Sequence, residues 1–318
     1  MNEKAVNVKA PFPNTFLIGV QKAGTTTLND WLSQHPQVYG YASLKDIPLF
    51  VKFPSPEQLN KRLSLETPSY NAQHIILHSA VNYIFYPSLL QKISETKADA
   101  KLLLILRNPV YRAISSYFYF QKMLREKRNI EKALLYHPQK DFEINRDNND
   151  FTYIEHGFYY EQIKNCRQFF SKQQLLILDY EDMKDRPQEL LKDVFHFLNI
   201  DESFQPDLMP KNVTGDLKSR FLQEKMLTKN KPRKWIVDHL IDPWLPVNKR
   251  KLLKNKIFEL NTSKQKQPIT SLTVTEETMK KMQTCLQEIY LHDTAQLDGL
   301  LGTHFFAKWF GHEVMPNK

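Results

Sequence analysis

The chain has 318 residues, of which 41% are hydrophobic and 25% charged, enough for a substantial core and unlike a disordered or membrane-inserted chain. Lys and Arg outnumber Asp and Glu by 44 to 35, and the resulting +9 charge favours anionic ligands: a phosphorylated cofactor, an acidic glycan, nucleic acid or a membrane surface. The longest apolar run, Leu102–Leu106, is too short to span a bilayer, and the first residues lack the apolar stretch of a secretory signal. Cys166 and Cys285 form neither a disulfide framework nor paired metal ligands and read as small hydrophobes on amphipathic helices. A reducing, cytoplasmic setting without a transmembrane segment is the expectation.

In chain order, residues 1–13 read as a loose entry segment. Phe16, Leu17 and Ile18 form a short buried strand that breaks at Gly19 into the small-residue loop Gln21–Thr25. A helix begins through Thr25, Thr26 and Thr27 and ends near Gln34-His35-Pro36. Residues 41–70, rich in Pro, Ser and Lys, are expected to be mostly loop with short elements and to line a site. A helix around Val81–Ile93 leads to a second buried strand, Lys101–Arg107, whose continuous apolar run suits a central parallel strand covered on both faces. Asn108-Pro109 ends it, and Val110–Arg125 reads as a helix. After a polar, loop-like stretch at 137–152 come a helix at Tyr159–Phe170, a strand at Gln174–Asp179 and a helix at Pro187–Leu198. This alternation predicts an α/β fold, a P-loop-like central parallel sheet flanked by helices, with a mostly helical C-terminal part. We expect one domain over 1–318, with a core at 14–210 and a late loop plus helices at 211–318. The basic stretch Lys249, Arg250, Lys251, Lys254, Lys256 reads as a solvated helix face or a contact for acceptor or membrane.

The strand, glycine-bearing loop and helix start over Phe16–Leu32 make an anion cradle, where unpaired N–H groups and the positive end of the helix dipole converge. Gly19 and Gly24 have the spacing of a nucleotide P-loop, G-x-x-x-x-G-K-[ST], yet Thr25 stands where the lysine belongs, and Lys22 lies inside the loop. A second candidate is Arg107 at the tip of its strand, the edge where open α/β sheets bind ligands. Ser115 follows eight residues later, about two turns into the next helix, so the pair can grip one phosphate. An ion pair at a loop is the other reading of Arg107. In the alternative reading Arg112 is a helix-surface cation and Ser116 or Tyr117 simply packs.

Together these pieces resemble the sulfotransferases that use 3′-phosphoadenosine 5′-phosphosulfate (PAPS), in the branch of bacterial and carbohydrate members. Val20-Gln21-Lys22-Ala23-Gly24-Thr25-Thr26-Thr27-Leu28 is similar to the family's 5′-phosphosulfate loop. Arg107-Asn108-Pro109-Val110 with Arg112 and Ser115 is similar to its 3′-phosphate motif, and Thr67-Pro68-Ser69-Tyr70 to the turn between them. Gly157-Phe158-Tyr159 and Tyr180-Glu181-Asp182-Met183 resemble the G-x-Y and Y-E-D-[LM] segments. Lys211-Asn212-Val213-Thr214-Gly215 with Lys218-Ser219-Arg220 resembles a late cofactor-covering loop, and Leu300-Leu301-Gly302 with Trp309 a closing motif.

The resemblance implies PAPS as donor, its 3′,5′-bisphosphate PAP as product, and no metal. It puts Lys22 at the 5′-phosphosulfate bridge, and Gln21, Ala23, Gly24, Thr25, Thr26 and Thr27 around the 5′-phosphate, with N-capping as a further role for the threonines. Arg107 and Ser115 would take the 3′-phosphate. Tyr180 would line the adenine region or pack, and Lys211 and Asn212 would cover the cofactor. The acceptor hydroxyl needs a base. In carbohydrate members this is a Glu in a Lys-Glu-Pro-x-x-Phe-like segment, which here reads Ser43-Leu44-Lys45-Asp46-Ile47-Pro48-Leu49-Phe50. Asp46 therefore falls at the base position beside Lys45, and a loop-stabilising ion pair is the alternative reading. Glu66 is a second candidate, and His35, His74 and His78 are weaker ones. The implied acceptor is a hydroxyl of a carbohydrate or glycolipid. A catalytically impaired, sulfotransferase-like anion-binding protein and a P-loop kinase are the rival readings. Nucleic-acid binding has no recognition motif behind it.

Overall fold

The structure, a computed structural model, describes residues 12–41, 44–65, 70–135, 152–209, 216–217, 262–263 and 274–311. Its centre is a five-stranded, all-parallel sheet in the order β2-β3-β1-β4-β5: β1 Thr15–Gly19, β2 Val38–Gly40, β3 Ile75–Ser79, β4 Lys101–Leu106 and β5 Leu175–Asp179. β1 is buried along its whole length, and β4 from its second residue on, as strands covered by helices on both faces must be. β1 sits between β3 (Thr15 opposite Leu77) and β4 (Thr15 opposite Lys101), so the carboxyl ends of three neighbouring strands open on one edge. Chain order reverses there, the crevice in which such sheets hold ligands.

α1 (Thr25–Leu32) follows β1 and buries Thr25, Leu28, Trp31 and Leu32. The stretch expected to be mostly loop holds two short helices, α2 (Leu49–Lys52) and α3 (Pro56–Ser64), the latter capped by Ser55. The expected helix around Val81–Ile93 is displaced: β3 ends at Ser79, turns occupy the next residues, and α4 spans Pro87–Thr96. Pro87 explains the shift, because proline is accepted at the first helical position and breaks a helix that contains it. α5 (Pro109–Lys122) starts from Asn108, whose side chain accepts from Val110 N, and it stops short of Arg125 with Leu124 at a φ of 56°. α6 is Ile130–Leu134, and the helix expected over Tyr159–Phe170 is shorter, α7 Tyr159–Cys166. After β5 come α8 (Tyr180–Asp185) and α9 (Pro187–Leu198), the latter as expected.

The described part of the C-terminal third is the long helix α10 (Glu276–Leu301), closed by Gly302 at a φ of 72°, then α11 (Phe305–Phe310). A two-stranded antiparallel pair joins Asp216–Leu217 to Thr262–Ser263. α10 packs on α5 and α7, so the C-terminal helices lie directly behind the strand edge that carries Arg107.

Candidate active site

The loop after β1 is built by its backbone. Val20 N donates to Ile105 O (2.9 Å), tying the loop to β4, and Ala23, fully buried, closes a turn onto Val20 O. Lys22 and Gly24 both take left-handed backbone angles, φ 68° and 83°. Glycine is favoured at 24 by its left-handed backbone, and a Cβ there would stand 2.3 Å from Cε at the flexible end of Met183 and 3.3 Å from the Tyr180 ring. Gly24 is also the N-cap of α1. None of Thr25, Thr26 and Thr27 caps the helix, and the capping role read for them is therefore corrected. With no side-chain cap and no acidic residue in its first turn, α1 presents its leading N–H groups to an anion.

Lys22 Nζ lies 4.2 Å from the centroid of the Tyr119 ring, and its carbonyl oxygen accepts a 2.9 Å hydrogen bond from Arg107 Nη1. Burial, with Arg107 and Lys122 as neighbouring cations, pulls the ammonium down to about 8. The guanidinium of Arg107 stacks on Tyr180 at 4.6 Å, and its Nε is buried without a partner in the protein. An orphaned guanidinium N–H beside an uncapped helix start is a donor set suited to a doubly phosphorylated anion. Gln21 Oε1 accepts from Ser116 Oγ (2.8 Å), which holds the loop to α5, while Ser115 is half-buried on the same helix.

Lys45 and Asp46 form a 2.5 Å ion pair, Lys45 mostly covered and the Asp46 side chain 52% exposed. Asp46 adopts a φ of 63°, and its N–H donates to Ser79 O at the end of β3 (2.8 Å). Ser79 Oγ donates in turn to Asn29 Oδ1 of α1 (2.5 Å), so the Asp46 loop is anchored to the helix that carries the cradle. His78 supports the same loop from below. It is buried, its Nε2 lies 3.2 Å from Leu44 O, and burial pushes its imidazole down to about 3, which keeps it neutral. His35 is likewise buried, between Asp201 O and Gln37 N, and His74 is exposed beside the sheet.

Two sequence readings change. Arg112 is fully buried, not a surface cation, and donates from Nη2 to Tyr153 O. Ser116 does more than pack, since it holds Gln21. The turn after β3 is tied to β1 by Ala80 N, which donates to Leu17 O (3.1 Å). Of the Thr67–Tyr70 turn, only Tyr70 is described, and it packs edge-on against Tyr39. Glu66, Lys211, Asn212, residues 213–215 and 218–220, and the basic stretch at 249–256 lie outside the described residues. Tyr119, unnoticed in the sequence, sits three residues past Ser116 on α5, and Ser116 is itself one turn past Arg112. That spacing is the signal that could have flagged it.

The sulfotransferase domain model matches residues 12–235, and the chain belongs to this family. The membrane-associated sulfotransferase kil1 of Dictyostelium discoideum is 23% identical across 63% of this chain and 59% of its own length. The bifunctional heparan sulfate N-deacetylase/N-sulfotransferase 1 of Caenorhabditis elegans is 24% identical across 80% of this chain. The chain thus spans 59% and 29% of the lengths of these two relatives. A crystal structure of a sulfotransferase from Alicyclobacillus acidocaldarius shares the fold, with a TM-score of 0.59 at 20% identity over 94% of this chain and 99% of that one. Among the described residues no helix is long and apolar enough to cross a membrane, and no group of three or more His, Cys, Asp or Glu could hold a metal ion.

Proposed function

We propose that this protein transfers the sulfuryl group of PAPS to a hydroxyl of a carbohydrate or glycolipid acceptor, releasing PAP. The observation that carries the reading is the direct link between two cations: Arg107 holds the carbonyl of Lys22 and keeps a buried N–H unpaired. One is suited to a 3′-phosphate, the mark that separates PAPS from ATP, and the other to a 5′-phosphosulfate. Bound PAPS supplies the activated sulfuryl group. The N-terminus of α1, with Gln21, Ala23, Gly24, Thr25, Thr26 and Thr27, holds the 5′-phosphate. Arg107 and Ser115 hold the 3′-phosphate, with Tyr180 stacked behind the guanidinium. By the family resemblance, Lys211 and Asn212 would cover the cofactor.

Asp46 would take the acceptor's proton, with Lys45 orienting its carboxylate through the ion pair. Lys22 would stabilise the negative charge on the phosphate oxygen that the sulfuryl group leaves. The carbohydrate class of the acceptor is supported by the heparan sulfate relative, and the hydroxyl by the resemblance of the Lys45-Asp46 segment to the base-bearing segment of carbohydrate members. A cytoplasmic setting completes the reading, in keeping with two unpaired cysteines, one of them buried.

The test has two arms. Thermal unfolding with PAP against ATP plus Mg²⁺ should show stabilisation by PAP, and stabilisation by ATP–Mg²⁺ alone refutes the cofactor. Incubation with ³⁵S-labelled PAPS and fractionated glycans or glycolipids should label one of these fractions. Binding of PAP with no transfer to any acceptor favours the second reading, an anion-binding protein without turnover, to which the closed Lys45–Asp46 pair lends support.

A further inference from the structure

The cation at the strand tip is held from behind by a part of the chain far away in sequence. Tyr159, fully buried at the start of α7, donates its hydroxyl to the carbonyl oxygen of Arg107 at 2.8 Å. Burial keeps this phenol well above its usual range, so it remains a donor. α7 has no side-chain cap of its own. Its first two N–H groups are instead accepted by Asp293 of α10, from Tyr159 N at 2.8 Å and from Tyr160 N at 3.3 Å. A carboxylate there also meets the positive end of the helix dipole.

One turn earlier on α10, Tyr290 donates to Ile154 O (2.9 Å), and its ring lies so close to Gly157 that a Cβ there would stand 2.7 Å away. The Gly157-Phe158-Tyr159 segment is therefore docked on α10 by two side chains and passes that placement to Arg107. Asp293 is only 8% exposed, and its carboxyl is raised to about 6 by that burial. A desolvated carboxylate is an expensive way to cap a helix, and it is kept where the capped residue touches the site.

We infer that Asp293 and Tyr159 act as positioning residues that set the backbone of Arg107, and thereby the grip on a 3′-phosphate. The inference rests on the proposed PAPS reading. It is tested by calorimetric titration of the full chain with two ligands: PAP, and adenosine 5′-phosphosulfate, which lacks the 3′-phosphate. Wild-type protein that binds PAP no more tightly than adenosine 5′-phosphosulfate overturns the PAPS reading itself, and this inference with it. Given tighter PAP binding, Tyr159→Phe, which removes one hydroxyl, should weaken PAP about 5- to 20-fold. It should leave adenosine 5′-phosphosulfate affinity and kcat at saturating PAPS unchanged. Asp293→Asn, which keeps one acceptor oxygen, should fall between wild type and Asp293→Ala. PAP affinity unchanged in Tyr159→Phe, or equal losses for both ligands, overturns the positioning role. Should Tyr159→Phe fold poorly, the same ligand contrast in Asp293→Asn decides it by the same criteria.

Discussion

Lys22 offers the sharpest test, because the structure sets its charge. Burial and the nearby Arg107 and Lys122 bring its ammonium from an ordinary 10.5 to about 8. At pH 8 roughly half of the molecules then carry a neutral Lys22, about a tenth at pH 7 and ~1% at pH 6. A phosphosulfate against Nζ favours the charged form, and a 3′-phosphate on Arg107 removes the nearest repulsion, so both restore an ordinary lysine. Binding PAP should therefore take up roughly half a proton at pH 8, and the uptake should shrink and turn to release towards pH 6, where the charged lysine has nothing left to gain and the bound phosphates give up their own protons. The second ionisation of a phosphate monoester lies near pH 6, about two units lower, and adds nothing at pH 8. The Tyr119 ring stabilises the ammonium by about 0.5–2 kcal/mol, so Tyr119→Leu should lower the Lys22 pKa further and enlarge the uptake at pH 7. Titration calorimetry in buffers of different ionisation enthalpy reads the proton count directly. A buffer-independent heat at pH 8, or the same uptake in Lys22→Ala, refutes the reasoning.

Three further outcomes are expected. Gly24→Ala forces a positive-φ backbone on a residue with a Cβ and drives it into Met183, so it should cost about 1–3 kcal/mol by denaturant unfolding and abolish PAP binding at micromolar concentrations. Asp46→Asn should lower kcat about 10²- to 10⁴-fold, the usual worth of a general base, while PAP affinity measured by calorimetry stays at the wild-type value; unchanged turnover would move the base elsewhere. The third outcome concerns acid stability. His78 is depressed to about 3 in the fold, so the unfolded chain binds the extra proton between there and its ordinary 6.5, and this contribution to stability falls as pH drops through that window. Asp293 is raised from 3.8 to about 6, so the folded state holds the extra proton and gains stability as pH drops from 6 to 4. Each slope is at most about 1.4 kcal/mol per pH unit, and they oppose. Relative to wild type, His78→Gln should therefore become more stable, and Asp293→Asn less stable, as unfolding is followed from pH 6 to 4.

The cradle was legible in the sequence because its determinants are local. An apolar triplet, two glycines and a run of threonines dictate strand, turn and helix start without help from the rest of the chain. The same holds for α9, whose apolar positions repeat at helical spacing behind a proline. β3 was missed because its last two residues, His78 and Ser79, look like surface residues. They are buried only because Leu44 O lies against one and Asn29 accepts from the other, partners some 30 to 50 residues away. Arg112 was misread for the same reason, since its partner is a carbonyl at 153, far along the chain. Nothing in a helical repeat distinguishes a cation facing water from one facing a buried acceptor.

The sequence alone therefore determined the donor chemistry of the loop: which residues carry charge, where the glycines let the strand break into a loop, and that lysine stands inside the loop and not at its end. Only the tertiary structure decided how those groups are held. It put the guanidinium of Arg107 on the carbonyl of Lys22, and it tied the Asp46 loop through Ser79 and Asn29 to the cradle helix. It also set α10, nearly 190 residues beyond Arg107, behind the strand tip through Asp293 and Tyr159. The reason is physical. Charge and backbone freedom belong to single residues, whereas the direction of a guanidinium and the ionisation of a buried lysine depend on neighbours that only the folded sheet brings within reach.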